Sequence, residues 1–278
     1  MNRLIAFVVA AGLTGGCATP RTVAPPVSPA VVGELRPGIL NGYLDPAALP
    51  DSAALLPAPP AAGSAAQAAD EAAYQALSRL QGTPRGALAV QDADLRQPQV
   101  LETFSCALGI PISETATPNL AMLLRRTMTD AGFAPAGAKK KYNRTRPFVA
   151  FHAHTCTPGD EAYLVNDGSY PSGHSSIGWA WALTLAEVAP DHADAILERG
   201  RAFGQSRAIC GAHWQSDVQA GWLVGAATVA KLHANATFTA QQQAARAEIA
   251  ATRARGALPP GDCAATAATL ASSAELAP

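Results

Sequence analysis

Three separated stretches of the chain gather side chains that suit a phosphate-sized oxyanion: KKKYNRTRP at 139–147, PSGH at 171–174 and SRAICGAHWQSD at 206–217. In the first, Lys139 and Arg146 are seven residues apart, about two helical turns, so one helix face would present an ammonium and a guanidinium to the same anion. In the second, Pro171 and Ser172 precede a helix whose first-turn amides lack partners. Gly173 lets an oxyanion approach the backbone, and His174 stands where a proton is delivered to a leaving oxygen. In the third, His213 and Asp217 fall at i and i+4 on a helix beginning near His213, so the carboxylate fixes one ring nitrogen and frees the other to attack. Arg207 adds a further positive group. Taken singly, each stretch also has an ordinary reading: a solvated basic face, a helix cap, a surface His–Asp pair.

These motifs need rigid elements to bring them together, and the sequence offers helices. Ala-rich composition favours helix, alternating strand patterns are scarce, and no repeat is visible. DEAAYQALSRLQG ends in a glycine stop, and TPNLAMLLRRTMTDAG starts from a threonine cap and closes similarly. HSSIGWAWALTLAEVAP, HADAILERGRAFGQSRAIC, HWQSDVQAGWLVGAATVAKLHA and a charged segment near QQQAARAEIAATRAR follow. The expectation is an all-α, single helical-bundle domain over 65–255. Val218 to Ala230 is apolar, but it is short and flanked by Asp217 and Lys231, which makes it a core helix. Residues 18–64 hold a Pro-rich extended segment, with 10 of the chain's 22 prolines between Pro20 and Pro60. Its second half, carrying Tyr43, Leu44, Leu49, Leu55 and Leu56, is expected to pack on the domain, and 256–278 to be an irregular tail.

Residues 1–17, MNRLIAFVVAAGLTGGC, join a charged Arg3 to an apolar run too short to span a bilayer, the pattern of an export signal. Two processing routes stay open: a lipoprotein box that lipidates Cys17, or ordinary cleavage after Ala18. Either places the protein in the periplasm, the first with an anchor in the outer membrane. Without Cys17, four cysteines remain, an even number suited to an oxidising compartment. Sequence does not choose among their three connectivities; the working expectation is Cys106 with Cys156 and Cys210 with Cys263. A formal net charge of -1 gives no reason to invoke nucleic acid or an anionic membrane as partner. His152 and His154 form a His-x-His pair with no carboxylate nearby in sequence to complete a metal site, so surface placement or packing is expected there. Trp179, Trp181, Trp214 and Trp222 read as core, with Trp214 also near enough to His213 to line a pocket.

Taken together, the spacings Lys-x6-Arg-Pro, Pro-Ser-Gly-His and Ser-Arg-x5-His-x3-Asp resemble the phosphatidic-acid-phosphatase type 2 superfamily. The flanking text GSYPSGHSSIGWAWALTLAE and SRAICGAHWQSDVQAG is similar to its bacterial class A non-specific acid phosphatases. That resemblance runs from about Gly42 to the last charged helix. It implies hydrolysis of phosphate monoesters through a phosphohistidine, without metal or other cofactor and with a broad range of small-molecule substrates. His213 would be nucleophile, His174 general acid and Asp217 the group orienting His213, while Lys139, Arg146, Ser172, Gly173 and Arg207 hold the phosphoryl oxygens. Association into a homo-oligomer is also expected. Two rival readings on the same scaffold are a vanadium-dependent haloperoxidase and a non-catalytic phosphate-binding lipoprotein.

Overall fold

Capping residues set most of the helix boundaries in the computed structural model, which describes residues 24–271. The expected signal segment, its Cys17 and the last seven residues lie outside that range. Helix α1 (Ala65–Leu77) starts at Ser64, whose Oγ accepts from the Gln67 amide, and α2 (Pro84–Ala93) starts at Thr83 with proline in its first turn. There follow α3 (Pro118–Phe133), α4 (Ala136–Tyr142), α5 (Gly173–Val188), α6 (Ala193–Ile209), α7 (Gln215–Leu232), α8 (Ala236–Ala254) and α9 (Cys263–Ala271). The architecture is mainly helical, and its only sheet among the described residues is a hairpin of β1 (Glu34–Arg36) and β2 (Ile39–Leu40). No helix among the described residues is long and apolar enough to cross a membrane.

Helix α5 is the centre of the molecule, packed against α3, α6 and α7. Its Ile177, Trp181 and Leu185 join Phe104, Leu120, Leu124, Phe203 and Phe238 in the main core, and Trp181 Nε1 donates to the Leu124 carbonyl at 2.8 Å. Two glycines of α7 allow a close crossing with α5: a Cβ on Gly221 would fall 2.5 Å from the Ser172 carbonyl, and one on Gly225 2.5 Å from the Ser176 carbonyl. This approach matters for chemistry, because it sets the N-terminus of α5 beside the N-terminus of α7. The Ser172 amide donates to the Asp217 carbonyl at 2.9 Å across that junction.

Four expectations need correction. The Pro-rich stretch is not wholly extended: prolines open single turns of helix at Pro29–Val32 and Pro46–Ala48, where their fixed φ suits a first helical position. It lies along α3, with the Tyr43 and Leu44 amides donating to the Asp130 carboxylate at 2.8 and 3.2 Å; Tyr43 and Leu56 are buried, whereas Leu55 is exposed. The tail is not irregular throughout, since α9 forms behind an Asp262 cap. Helix α3 runs through Gly132 to Phe133 rather than stopping at the glycine, and Thr117 bonds Pro111 and Ser113 instead of capping it. The disulfide pairing is Cys106–Cys263 and Cys156–Cys210, with Cα separations of 5.3 and 4.7 Å. Order along the chain had no bearing on it, because α9 folds back to Cys106 and the 150s loop runs beside the end of α6.

Candidate functional site

A cavity of about 800 Å³ opens where α3, α4, α5 and the α6–α7 turn meet, and Lys139, Arg146, Gly173, His174, Arg207 and His213 all line it. Asp217 lies directly behind His213. Ser172 lies just behind Gly173, fully buried as the cap of α5, with its Oγ accepting from the Ser175 amide and the Ser175 hydroxyl. Both bonds use Ser172 as acceptor, which leaves its hydroxyl hydrogen for another partner. A Cβ at Gly173 would meet nothing within 4 Å, so neither packing nor backbone strain calls for glycine there, and the open space belongs to the cavity.

Lys139 and Arg146 do not share a helix face as their spacing suggests. Asn143, at φ +38°, ends α4, and Arg146 caps a separate single turn, Pro147–Ala150. They converge instead on Asp167, whose Oδ2 accepts from Lys139 Nζ at 2.8 Å and from Arg146 Nη2 at 2.9 Å. Arg146 is further fixed by the Leu164, Asp167 and Ala212 carbonyls, each at 2.9 Å. Burial brings the Lys139 ammonium down to about 8. Arg207 is treated differently: it is buried, yet its Nε and Nη1 have no partner in the protein, and burial pushes its guanidinium down to about 10.

The two histidines are held in opposite tautomers. A guanidinium only donates, so Arg146 Nη1, 3.0 Å from His213 Nε2, requires a lone pair there and puts the ring hydrogen on Nδ1, facing Asp217 Oδ2 at 3.6 Å and Ser169 Oγ at 3.5 Å. A carbonyl only accepts, so Ala93 O, 3.0 Å from His174 Nε2, fixes the hydrogen on that nitrogen and leaves the Nδ1 lone pair of His174 free. Burial holds both imidazoles well below the usual histidine range; Arg146 is the second cause for His213 and Arg207 for His174. Helix α7 begins at Gln215, two residues past His213. Asp217 therefore sits in its first turn and reaches back, accepting from the Trp214 amide at 2.8 Å, from Ser169 Oγ and from Arg144 Nη1 at 2.7 Å. Burial raises the Asp217 carboxyl, and these three donors oppose the rise.

Several working parts carry no motif of their own. Arg144, two residues before Arg146, ties Asp217 to Asp70 and Gln67. Asp167 and Ser169 stand in NDGSYPSGH just ahead of Pro171, and the nearness of that text to the motif was the available signal. Asp92, at the end of α2, accepts from Ser206 Oγ at 2.6 Å and pairs with Arg199, fixing the helix end whose next residue, Ala93, holds His174. Trp214 is buried beneath Arg144, its Nε1 donating to the Thr145 carbonyl, and is not part of the cavity wall. His152 and His154 are exposed, with His154 Nδ1 3.1 Å from Glu161. No group of three or more potential metal ligands occurs among the described residues.

The profile of the PAP2 superfamily matches residues 120–241, which carry all three motifs. The chain is 47% identical over 209 residues to a non-specific acid phosphatase of Providencia stuartii, covering 75% of this chain and 84% of that protein. It is 45% identical over 191 residues to an acid phosphatase of Zymomonas mobilis (69% and 72%), and 43% identical over 195 residues to a non-specific acid phosphatase of Salmonella typhimurium (70% and 78%).

Proposed function

Because this chain belongs to the PAP2 superfamily, among its non-specific acid phosphatases, we propose that it hydrolyses phosphate monoesters by attack of His213 Nε2 on phosphorus. The enzyme is a phosphoric monoester hydrolase. As the N–P bond forms, the ester P–O bond breaks and the leaving oxygen takes a proton from Nδ1 of protonated His174. Water then attacks the phosphohistidine, gives its proton back to His174, and releases inorganic phosphate with His213 restored.

The observation that carries this reading is the pair of opposite tautomers on one cavity: an unprotonated Nε2 on the ring backed by a carboxylate, and an Nδ1 able to carry a proton on the ring backed by a carbonyl. Asp217, behind His213, orients it and offsets the positive charge that develops on the ring. Lys139, Arg146, Arg207, the Gly173 amide and the Ser172 hydroxyl hold the three equatorial oxygens, so the route calls on fixed donors and needs no metal. An arriving phosphate dianion opposes the cations that depress His174, and so favours the protonated form that donates.

Residence outside the cytosol, in the periplasm, fits the two cysteine pairs as well as the leader sequence, which allows either a lipid on Cys17 or cleavage after Ala18. Hydrolysis of p-nitrophenyl phosphate across pH, in the presence of EDTA, tests the mechanism. Activity is expected to survive EDTA, to vanish in His213→Ala, and to fall about 10²–10⁴-fold in His174→Ala with phosphate binding retained. An active His213→Ala enzyme sinks the proposal.

A further inference from the structure

The cavity is far larger than the group it breaks. At about 800 Å³ it lies within the range of roughly 300–1,000 Å³ that holds a whole small-molecule ligand. Part of its lining comes from outside the motifs and is apolar: Ile39 of β2, Met128 and Phe133 of α3, and Leu95 just past α2. Two cations stand on the same lining, Arg36 of β1 and Lys140 of α4. Both are exposed, and neither makes a hydrogen bond or ion pair within the described residues; the Arg36 guanidinium rests 5.2 Å from the Phe133 ring centroid. The neighbours of Lys140 are engaged, Lys139 with Asp167 and Lys141 with the Ala53 carbonyl at 3.1 Å. Asp167 is the one carboxylate on the described lining, and it is committed to Lys139 and Arg146. Nothing in the wall therefore neutralises Arg36 and Lys140.

Resting on the phosphatase reading above, we infer that Arg36 and Lys140 form a distal anion subsite. It selects phosphate monoesters whose alcohol portion has an apolar body and carries a second anionic group, a carboxylate or phosphate, at its far end. The phosphoryl group sits among Lys139, Arg146 and Arg207, the body of the leaving group lies against Met128 and Phe133, and the second anion meets the two free cations. The hairpin thereby contributes to substrate choice although it lies outside the motifs that carry the chemistry.

The test compares phenyl phosphate with 4-carboxyphenyl phosphate in the full-length enzyme, in the double variant Arg36→Gln/Lys140→Gln, and in Arg36→Glu/Lys140→Glu. The ratio of the two kcat/KM values, compared between proteins, cancels the intrinsic reactivity of the esters. Exposed charge contacts are individually weak, so the double Gln variant is expected to lower the carboxylate preference about three- to ten-fold, through KM rather than kcat. Charge reversal is expected to lower it further, and added salt to shrink the wild-type preference. Hydrolysis of phenyl phosphate, which brings no second anion, should change less than about two-fold. A ratio that stays at the wild-type value in both variants overturns the subsite and leaves the phosphatase reading intact. A wild-type enzyme that hydrolyses neither ester overturns the phosphatase reading and the subsite with it.

Discussion

Replacing Arg207 with methionine should stabilise the free protein while crippling the enzyme. In the folded chain this guanidinium is buried, with two nitrogens unpartnered, and burial pushes it down to about 10. A shift of that size corresponds to about 3 kcal/mol at about 1.4 kcal/mol per unit. The independent figure of about 1–3 kcal/mol for each buried donor left unsatisfied gives the same order. Methionine keeps much of the apolar stem and removes the charge, and repacking costs about 1 kcal/mol. The net is a gain of about 1–3 kcal/mol, which for a chain of this size raises Tm by roughly 2–10 °C. Losing one fixed donor to the developing phosphoryl charge should lower kcat about 10²–10³-fold. Inorganic phosphate, which raises the wild-type Tm by binding only the folded state, should raise that of Arg207→Met much less. The assay is thermal unfolding with and without phosphate, beside turnover of p-nitrophenyl phosphate. A variant that melts well below wild type and still gains the full phosphate stabilisation refutes the reasoning, since Arg207 would then be structural.

The pH response follows from the two depressed histidines. Their folded-state values lie below the unfolded ones, so the stability they contribute is present above pH ~6.5 and is lost as pH falls below it, at up to about 1.4 kcal/mol per histidine per pH unit. Unfolding between pH 7.5 and 5 should show this fall, lessened by phosphate and by the double variant His174→Gln/His213→Asn; identical slopes in both proteins would refute it. The Cys156–Cys210 bridge spans 54 residues and ends three residues before His213, with the Cys156 amide donating to the Cys210 carbonyl at 3.1 Å. Its removal should cost about 2–5 kcal/mol and lower kcat as well. Removing Cys106–Cys263, which anchors only α9, should spare kcat; equal kcat losses from both would count against the bracing role.

What the sequence made readable was geometry set by residue type at short range. His174 beside a helix start and Asp217 four residues after His213 are local relations, and local relations survive folding. The His213–Asp217 contact forms with α7 starting two residues past His213, because a first-turn carboxylate at Asp217 reaches back over Trp214. Longer spacings failed. Lys139 and Arg146 seemed to share a helix face, yet Asn143 enters the left-handed region between them and their meeting point is set by Asp167, 21 residues past Arg146. The cysteine pairing failed for the same reason: it depends on which chain ends meet, which local pattern does not encode. Arg144 and Asp92 act by holding other residues, and such support leaves no spacing signature.

The unequal treatment of the three cations suits the phosphate binding proposed for them. Lys139 and Arg146 share the single carboxylate of Asp167, which fixes their geometry before substrate arrives. Asp217 is offset by Arg144. Beside the two histidines, Lys139, Arg146 and Arg207 against Asp167 leave a formal excess of two positive charges, the complement of a phosphate monoester dianion, and Arg36 and Lys140 add further positive charge on the same lining. A second carboxylate on Arg207 would relieve its burial but would compete with phosphate for the same guanidinium. Because burial brings Lys139 down to about 8, the full excess exists only below that value. The positive charge of the cup therefore rises as pH falls through about 8, while burial lets His213 keep its lone pair to lower pH than an exposed imidazole would.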